Sequence, residues 1–324
     1  MATVVSIINL KGGVGKSTLA MMFSEYLAFR FNKRVLLIDM DAQANLSYLM
    51  VPYRSMELQK DNHRTIYDFF KLALSGKASS LGNFVARPPL IVSNIARNFD
   101  VARNRSRETL DMVISTPGVA QLDEELLKLW EGGEVMPANL RFALKEGLPE
   151  IQDQYDLILI DCPPGLSLFS STALVASDFF VSPIIPEPLS LEGVRLIWDT
   201  ARELSRLPDC QVEYAGVILN IVKHYRNTHR LIAQRVYGER RDELKPFHFW
   251  LPDNEKLRKL GEFEIDDELI REGWAGGVES KFYSLYSKYS VSYLLTNPRE
   301  GLLSQTRDVE EEKYRLHERI GILV

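Results

Sequence analysis

Near-continuous apolar runs of strand length recur along the first two-thirds of the chain: Val4 to Ile8, Val35 to Ile38, Leu110 to Ser115, Leu157 to Ile160, Phe179 to Ile185 and Val212 to Ile221. Runs that do not alternate with polar residues predict strands buried on both faces, as in a parallel sheet covered by helices on either side. After a first strand over 3–9, Leu19, Met22, Phe23, Tyr26, Leu27 and Phe31 recur at helical spacing and predict a helix over 17–31. Helical segments are expected again near 119–131, near 137–151 and over the last fifteen residues, with a short helix beginning at Arg64. This alternation predicts an α/β fold, a doubly wound, mostly parallel sheet with helices on both faces.

The first strand runs into Asn9-Leu10-Lys11-Gly12-Gly13-Val14-Gly15-Lys16-Ser17-Thr18, which reads as a glycine-rich turn opening a helix. Glycines let backbone N–H groups converge on phosphate oxygens, and a helix N-terminus adds its positive dipole end at the same point. In such a loop Lys16 meets the β- and γ-phosphates and the Ser17 hydroxyl ligates Mg²⁺. Leu10 stands where the ordinary loop has its first glycine, and a second lysine, Lys11, follows it. Lys-Gly-Gly-x-Gly-Lys-Ser/Thr resembles the deviant Walker A motif of the ParA/MinD family of P-loop ATPases. The resemblance implies that residues Gly12 to Thr18 hold ATP and that Lys11 reaches the nucleotide of a partner subunit.

Carboxylates at the C-terminal ends of parallel strands lie where open α/β sheets bind ligands. Asp39-Met40-Asp41-Ala42-Gln43-Ala44-Asn45-Leu46-Ser47 follows the second run and resembles the family's first switch region. By that resemblance Asp41 polarises the attacking water and Asp39 sits nearer the Mg²⁺ shell. Asp161-Cys162-Pro163-Pro164 ends another apolar strand in one acid, the Walker B arrangement for holding Mg²⁺, with a loop like the second switch. Pro186-Glu187-Pro188 resembles the segment that opens the family's next helix. Asn220 and the loop Leu251-Pro252-Asp253-Asn254 resemble the residues that contact and close over the adenine, which puts Asn220 and Pro252 among the nucleotide-binding candidates.

The resemblance covers residues 2–50 and 110–260. It implies a domain over 1–274 with an insertion at about 52–109, followed by an atypical extension, 275–324, packed on it. It also implies a homodimer with ATP, nonspecific binding to double-stranded DNA, a ParB-like or adaptor protein that stimulates hydrolysis, and a cytoplasmic, nucleoid-associated location. The cargo is a plasmid or chromosome partition complex or a protein body such as a carboxysome. Two other readings stay open: a MinD-like membrane-associated ATPase, and a metabolic relative using ATP for a small-molecule or electron-transfer reaction.

Composition narrows these readings. The chain of 324 residues is 45% hydrophobic, yet no apolar run reaches the roughly 18 residues a membrane span requires, and the N-terminal strand does not read as a signal peptide. Cys162 and Cys210 are the only cysteines, too few for a disulfide framework and not spaced as a cluster motif. Residues 310–324 carry four Glu against three Lys/Arg, a poor match to anionic lipid. With a net charge of -5, a polyanion must be met by a local patch. The segment from Lys223 to Lys245 holds seven Lys/Arg against three acids and is either a solvated helix face or a DNA surface, with Lys223, Arg226, Arg230 and Arg235 as the candidates. Lys256-Leu257-Arg258-Lys259 forms a second basic cluster, and the five arginines from Arg87 to Arg107 read first as a solvated loop.

Overall fold

The computed structural model describes residues 1–25, 27–28, 33–77, 80–86, 110–122, 125, 138–223, 225–238, 241–247 and 250–253. The expected extension 275–324, the cluster at 256–259 and the arginines from 87 to 107 lie outside the described residues.

Among the described residues eight strands form one sheet: β1 (Thr3–Ile7), β2 (Val35–Asp39), β3 (Val85–Ala86), β4 (Leu110–Val113), β5 (Leu157–Asp161), β6 (Phe179–Ile184), β7 (Glu213–Val222) and β8 (Trp250–Pro252). Their order across the sheet is β3-β4-β2-β5-β1-β6-β7-β8. The β3–β4 pair is antiparallel and every other pair is parallel. Every residue of β2 and β5 is buried, as the unbroken apolar runs require.

Successive residues of each central strand feed opposite faces. Val5, Ile7, Val35, Leu37, Leu157 and Leu159 pack with helix α1 (Lys16–Glu25), with Leu46 and Met50 of α2 (Asn45–Met50) and with Met56 of α3 (Tyr53–Asp61). Val4, Ile8, Leu36, Ile38, Ile158 and Ile160 pack with α4 (Ile66–Leu74), α5 (Leu168–Ala176), α6 (Pro188–Leu204) and the buried Ile232 and Val236 of α7 (Asn227–Tyr237). Two helix starts are fastened by reciprocal capping boxes, Thr65 with Asp68 and Ser167 with Ser170.

Several boundaries differ from the sequence expectation. The expected helix near 137–151 is broken into a 3-10 turn (Ala138–Phe142) and two short helices, Ala143–Gly147 and Pro149–Gln152, with Pro149 at the start of the last. Pro252, expected in a loop, ends edge strand β8, where its missing N–H removes no bond from a further strand. The segment around 52–86, unreadable as sequence beyond one helix, supplies α3, α4, a 3-10 turn (Leu81–Phe84) and β3.

A chain of aromatic rings ties that segment to the core. Phe69 meets Phe70 at 5.3 Å and Phe84 at 5.6 Å, and Phe70 meets Phe169 of α5 at 5.0 Å, all edge to face. We expect Phe70→Ala to destabilise the protein by about 3–5 kcal/mol. The urea midpoint should fall with an unchanged slope; a loss below about 1 kcal/mol would show that α4 is not part of the cooperative core.

Candidate active site

The strand order puts β5 between β1 and β2, and the register aligns Asp161 with Ile7 on one side and with Asp39 on the other. The two acids therefore sit side by side at the C-terminal edge of the sheet, next to the glycine-rich loop that leaves β1. That loop turns through left-handed backbone at Gly13 (φ 71°) and Gly15 (φ 83°), and a Cβ on Gly15 would collide with the Asn220 amide nitrogen.

Two buried asparagines hold the loop. Asn9 donates to the Pro183 carbonyl at 2.7 Å and accepts from the Lys11 N–H at 2.8 Å. Asn220 donates to the Val14 carbonyl at 2.7 Å and accepts from the N–H of Ile221, a β-branched residue in left-handed backbone (φ 53°). Each end of the Asn220 amide makes one bond within the protein, which fixes its orientation and leaves its second N–H and second lone pair uncommitted. Lys16 is buried and its Nζ donates to the Lys11 carbonyl at 3.4 Å, which curls the side chain back over the loop. Ser17 and Thr18 lie in the first turn of α1, half-buried.

The carboxylates are electrostatically strained. Burial pushes the Asp161 carboxyl well above the usual carboxylate range, and the neighbouring Asp39 adds to the shift; the Ser17 hydroxyl and Lys16 oppose it. Neither Asp161 oxygen has a hydrogen-bond partner in bonding geometry. Burial likewise raises Asp39, to about 7, against the Ser47 hydroxyl and two backbone N–H groups that favour its ionised form. Two buried acids, one with orphaned oxygens, beside a serine hydroxyl fit a hard divalent cation. Mg²⁺ binds through one or two carboxylates with substrate phosphates and waters rather than through an all-protein cage. Consistent with that, no cluster of three or more His, Cys, Asp or Glu suited to a metal occurs among the described residues. Cys162, next to Asp161, is buried and its thiol pushed up to about 12, which leaves it inert.

Asp41 is mostly buried two residues beyond Asp39, its Oδ1 accepting from the Gln43 N–H at 2.9 Å. The Lys11 Nζ pairs with Glu187 at 2.6 Å, an exposed contact that lowers the Glu187 pKa. The structure therefore brings together Lys16, Ser17, Thr18, Asp39, Asp41 and Asp161, with Gly12, Gly13, Val14 and Gly15 as the loop and Asn220 behind it.

The basic segment after β7 is less uniform than its charge suggested. Lys223 pairs with Asp253 at 3.2 Å and is largely covered. Arg226, Arg230 and Arg235 are exposed. Arg226 is the N-cap of α7, in extended backbone, and Arg230 lies in the helix four residues on, whereas Arg230 and Arg235, five residues apart within the helix, diverge by about 140°. Sequence reasoning missed Asn9, Ser47, Ser115 and the pairing of Glu187. A polar residue between a buried strand and a glycine loop was a usable signal for Asn9; the others depend on contacts distant in sequence.

Fold and site together define a P-loop nucleoside triphosphatase. Residues 2–212 match the family model described as an AAA domain. The sporulation initiation inhibitor protein Soj of Bacillus subtilis is 28% identical over 258 residues, covering 79% of this chain and 87% of Soj. The chromosome partitioning protein ParA of Myxococcus xanthus is 26% identical over 261 residues, covering 80% and 78%. A putative plasmid partition protein from Borrelia burgdorferi, solved bound to AMPPNP, superposes with a TM-score of 0.60 at 23% identity, covering 89% of this chain and 99% of that one. The chain belongs to this AAA-domain family and, within it, to the ParA/MinD ATPases close to ParA and Soj.

The strained acids make a pH prediction. A carboxyl whose pKa rises on folding favours the folded state fully below its ordinary value of 3.8, and that contribution is lost as pH climbs through the folded value. In the absence of ligand, Asp161→Asn should therefore melt higher than wild type at about pH 8, by about 2–4 °C for each kcal/mol relieved. The gap should narrow toward about pH 5. A difference independent of pH would refute the assignment of burial strain to this acid.

Proposed function

We propose that this chain is an ATP-dependent dimerising switch ATPase of ParA type, which binds DNA without regard to sequence and positions or segregates a cargo. The observation that carries the reading is the division of labour between two lysines. Lys16 is buried over its own loop, whereas Lys11 is exposed on the outer side of the same loop. Its pair with Glu187 is solvent-exposed, so breaking it costs at most about 1 kcal/mol. The γ-phosphate of a nucleotide bound to a second copy is a stronger, doubly charged partner. Its presence favours the dimer, and its hydrolysis releases the pair.

In this reading the loop N–H groups from Gly12 to Thr18 and Lys16 hold the triphosphate. Bound Mg²⁺, held by Ser17, Asp161 and Asp39, supplies charge neutralisation at the phosphates. Asp41 orients and polarises the attacking water; Asn220, with Pro252 beyond it, borders the base. Arg226 and Arg230 carry the DNA contact, with Arg235 secondary and Lys223 reserved for Asp253. One subunit offers few phosphate contacts and a dimer doubles them, so DNA binding requires ATP. A ParB-like or adaptor protein then stimulates hydrolysis at the cargo, in the cytoplasm and on the nucleoid. No helix among the described residues is long and apolar enough to cross a membrane.

Lys16→Ala should lose ATP binding, whereas Lys11→Ala should bind ATP with wild-type affinity by calorimetry yet stay monomeric by light scattering. Equal loss of affinity in both variants removes the role of Lys11 in trans.

Arg226→Ala with Arg230→Ala should weaken binding to all duplexes alike and flatten the log K against log salt slope by about 0.9 per arginine and subunit. ATP turnover without DNA should not change. Unaltered DNA binding would shift the surface to another basic segment, and absence of ATP-dependent DNA binding in wild type would overturn the DNA reading.

A further inference from the structure

A buried chain of hydrogen bonds ties the loop that carries Asp41 to the neighbouring strand end. Ser115 lies two residues beyond β4, fully buried, on a loop adjacent to the one leaving β2, because Ile38 and Val113 are register partners. Its hydroxyl donates to the Asp41 carbonyl at 2.6 Å and its backbone N–H donates to the Ser47 Oγ at 2.8 Å. The Ser47 hydroxyl in turn donates to Asp39 Oδ2 at 2.7 Å, and the Ser47 N–H donates to the same oxygen at 2.9 Å. Asp39 Oδ1 accepts from the Asp41 N–H at 3.1 Å. The circuit closes on Asp41, whose backbone donor and acceptor are both held.

The Asp41 carbonyl also accepts from the N–H of Ala44 at 2.9 Å. Ala44 sits in left-handed backbone (φ 51°), a conformation that costs an alanine about 1–2 kcal/mol. A turn under such strain keeps its shape only when its surroundings over-determine it. Among the described residues the Ser115 hydroxyl is the one side-chain donor to that carbonyl, and it comes from a residue 74 positions away.

We infer that Ser115 is a positioning residue for hydrolysis: by fixing the Asp41 peptide it sets the direction from which the Asp41 carboxylate meets the attacking water. The inference rests on the role proposed for Asp41. Because the Ser115 hydroxyl donates to the Asp41 carbonyl and not to a residue assigned to the phosphates or to Mg²⁺, its loss should affect turnover and not substrate affinity. A displacement of about 1 Å at a reacting group can cost about a hundredfold in rate.

The test is steady-state ATP hydrolysis by the full chain with four variants and a double variant. Ser115→Ala should lower kcat about tenfold, with KM for ATP and the affinity for a non-hydrolysable analogue within twofold of wild type. Ser115→Thr, which keeps the hydroxyl, should restore much of the rate. Ser115→Cys, which fills the space but donates weakly, should stay slow, and it decides the matter if the alanine variant fails to fold. Asp41→Ala should be slow alone, and adding Ser115→Ala to it should lower the rate no further. Wild-type kcat in Ser115→Ala, wild-type rates in Ser115→Cys, or an additive loss in the double variant would each overturn the positioning role while leaving Asp41 in place. Wild-type turnover by Asp41→Ala would instead remove the role of Asp41 and this inference with it.

Discussion

Two buried carboxyl groups on neighbouring strands are the constraint around which the rest of this structure is arranged. Asp39 and Asp161 face each other in the β2–β5 register, and burial holds both above their ordinary pKa. An apolar sheet gains nothing from such a pair; the local structure surrounds it with compensation. Ser47 and two backbone N–H groups serve Asp39, Lys16 and Ser17 lie beside Asp161, and the orphaned oxygens of Asp161 remain available to a cation. Strands of all-apolar sequence make this arrangement possible, because only a sheet covered on both faces buries its strand ends deeply enough.

The same economy explains why the loop residues are held by amide side chains rather than by charge. Asn9 and Asn220 lock the loop from two sides without adding a formal charge that would compete with a phosphate. The two lysines of the loop differ in setting, Lys16 buried against it and Lys11 exposed and paired with Glu187. Among the left-handed non-glycine residues, Ala44 precedes α2 just after Asp41 and Ile221 sits near the end of β7 beside Asn220, so two of them fall next to this site.

The strand framework was legible in the sequence because central parallel strands are written as unbroken apolar runs, and the phosphate loop because glycine and lysine at fixed spacing have few other uses. The places of Asp39 and Asp161 at strand ends could be read the same way, since each closes an apolar run. Residues whose roles depend on distant partners could not. Nothing near Ser115 in sequence points to Asp41, and Glu187 became a partner of Lys11 only through a contact 176 positions long. The segment 52–86 hid its elements because α3 has one buried residue, Met56, and β3 only two residues, too little pattern to read. The resemblance put Leu251 and Pro252 in a loop, whereas both belong to β8, which a proline can end because it is an edge strand.

The exposed pair between Lys11 and Glu187 makes the position of the Lys11 side chain sensitive to ionic strength. Added salt screens that pair and so lowers the cost of releasing Lys11, whereas Lys16, buried against the loop, is screened much less. Ionic strength therefore separates the two lysines, loosening the outer one and leaving the inner one where it is.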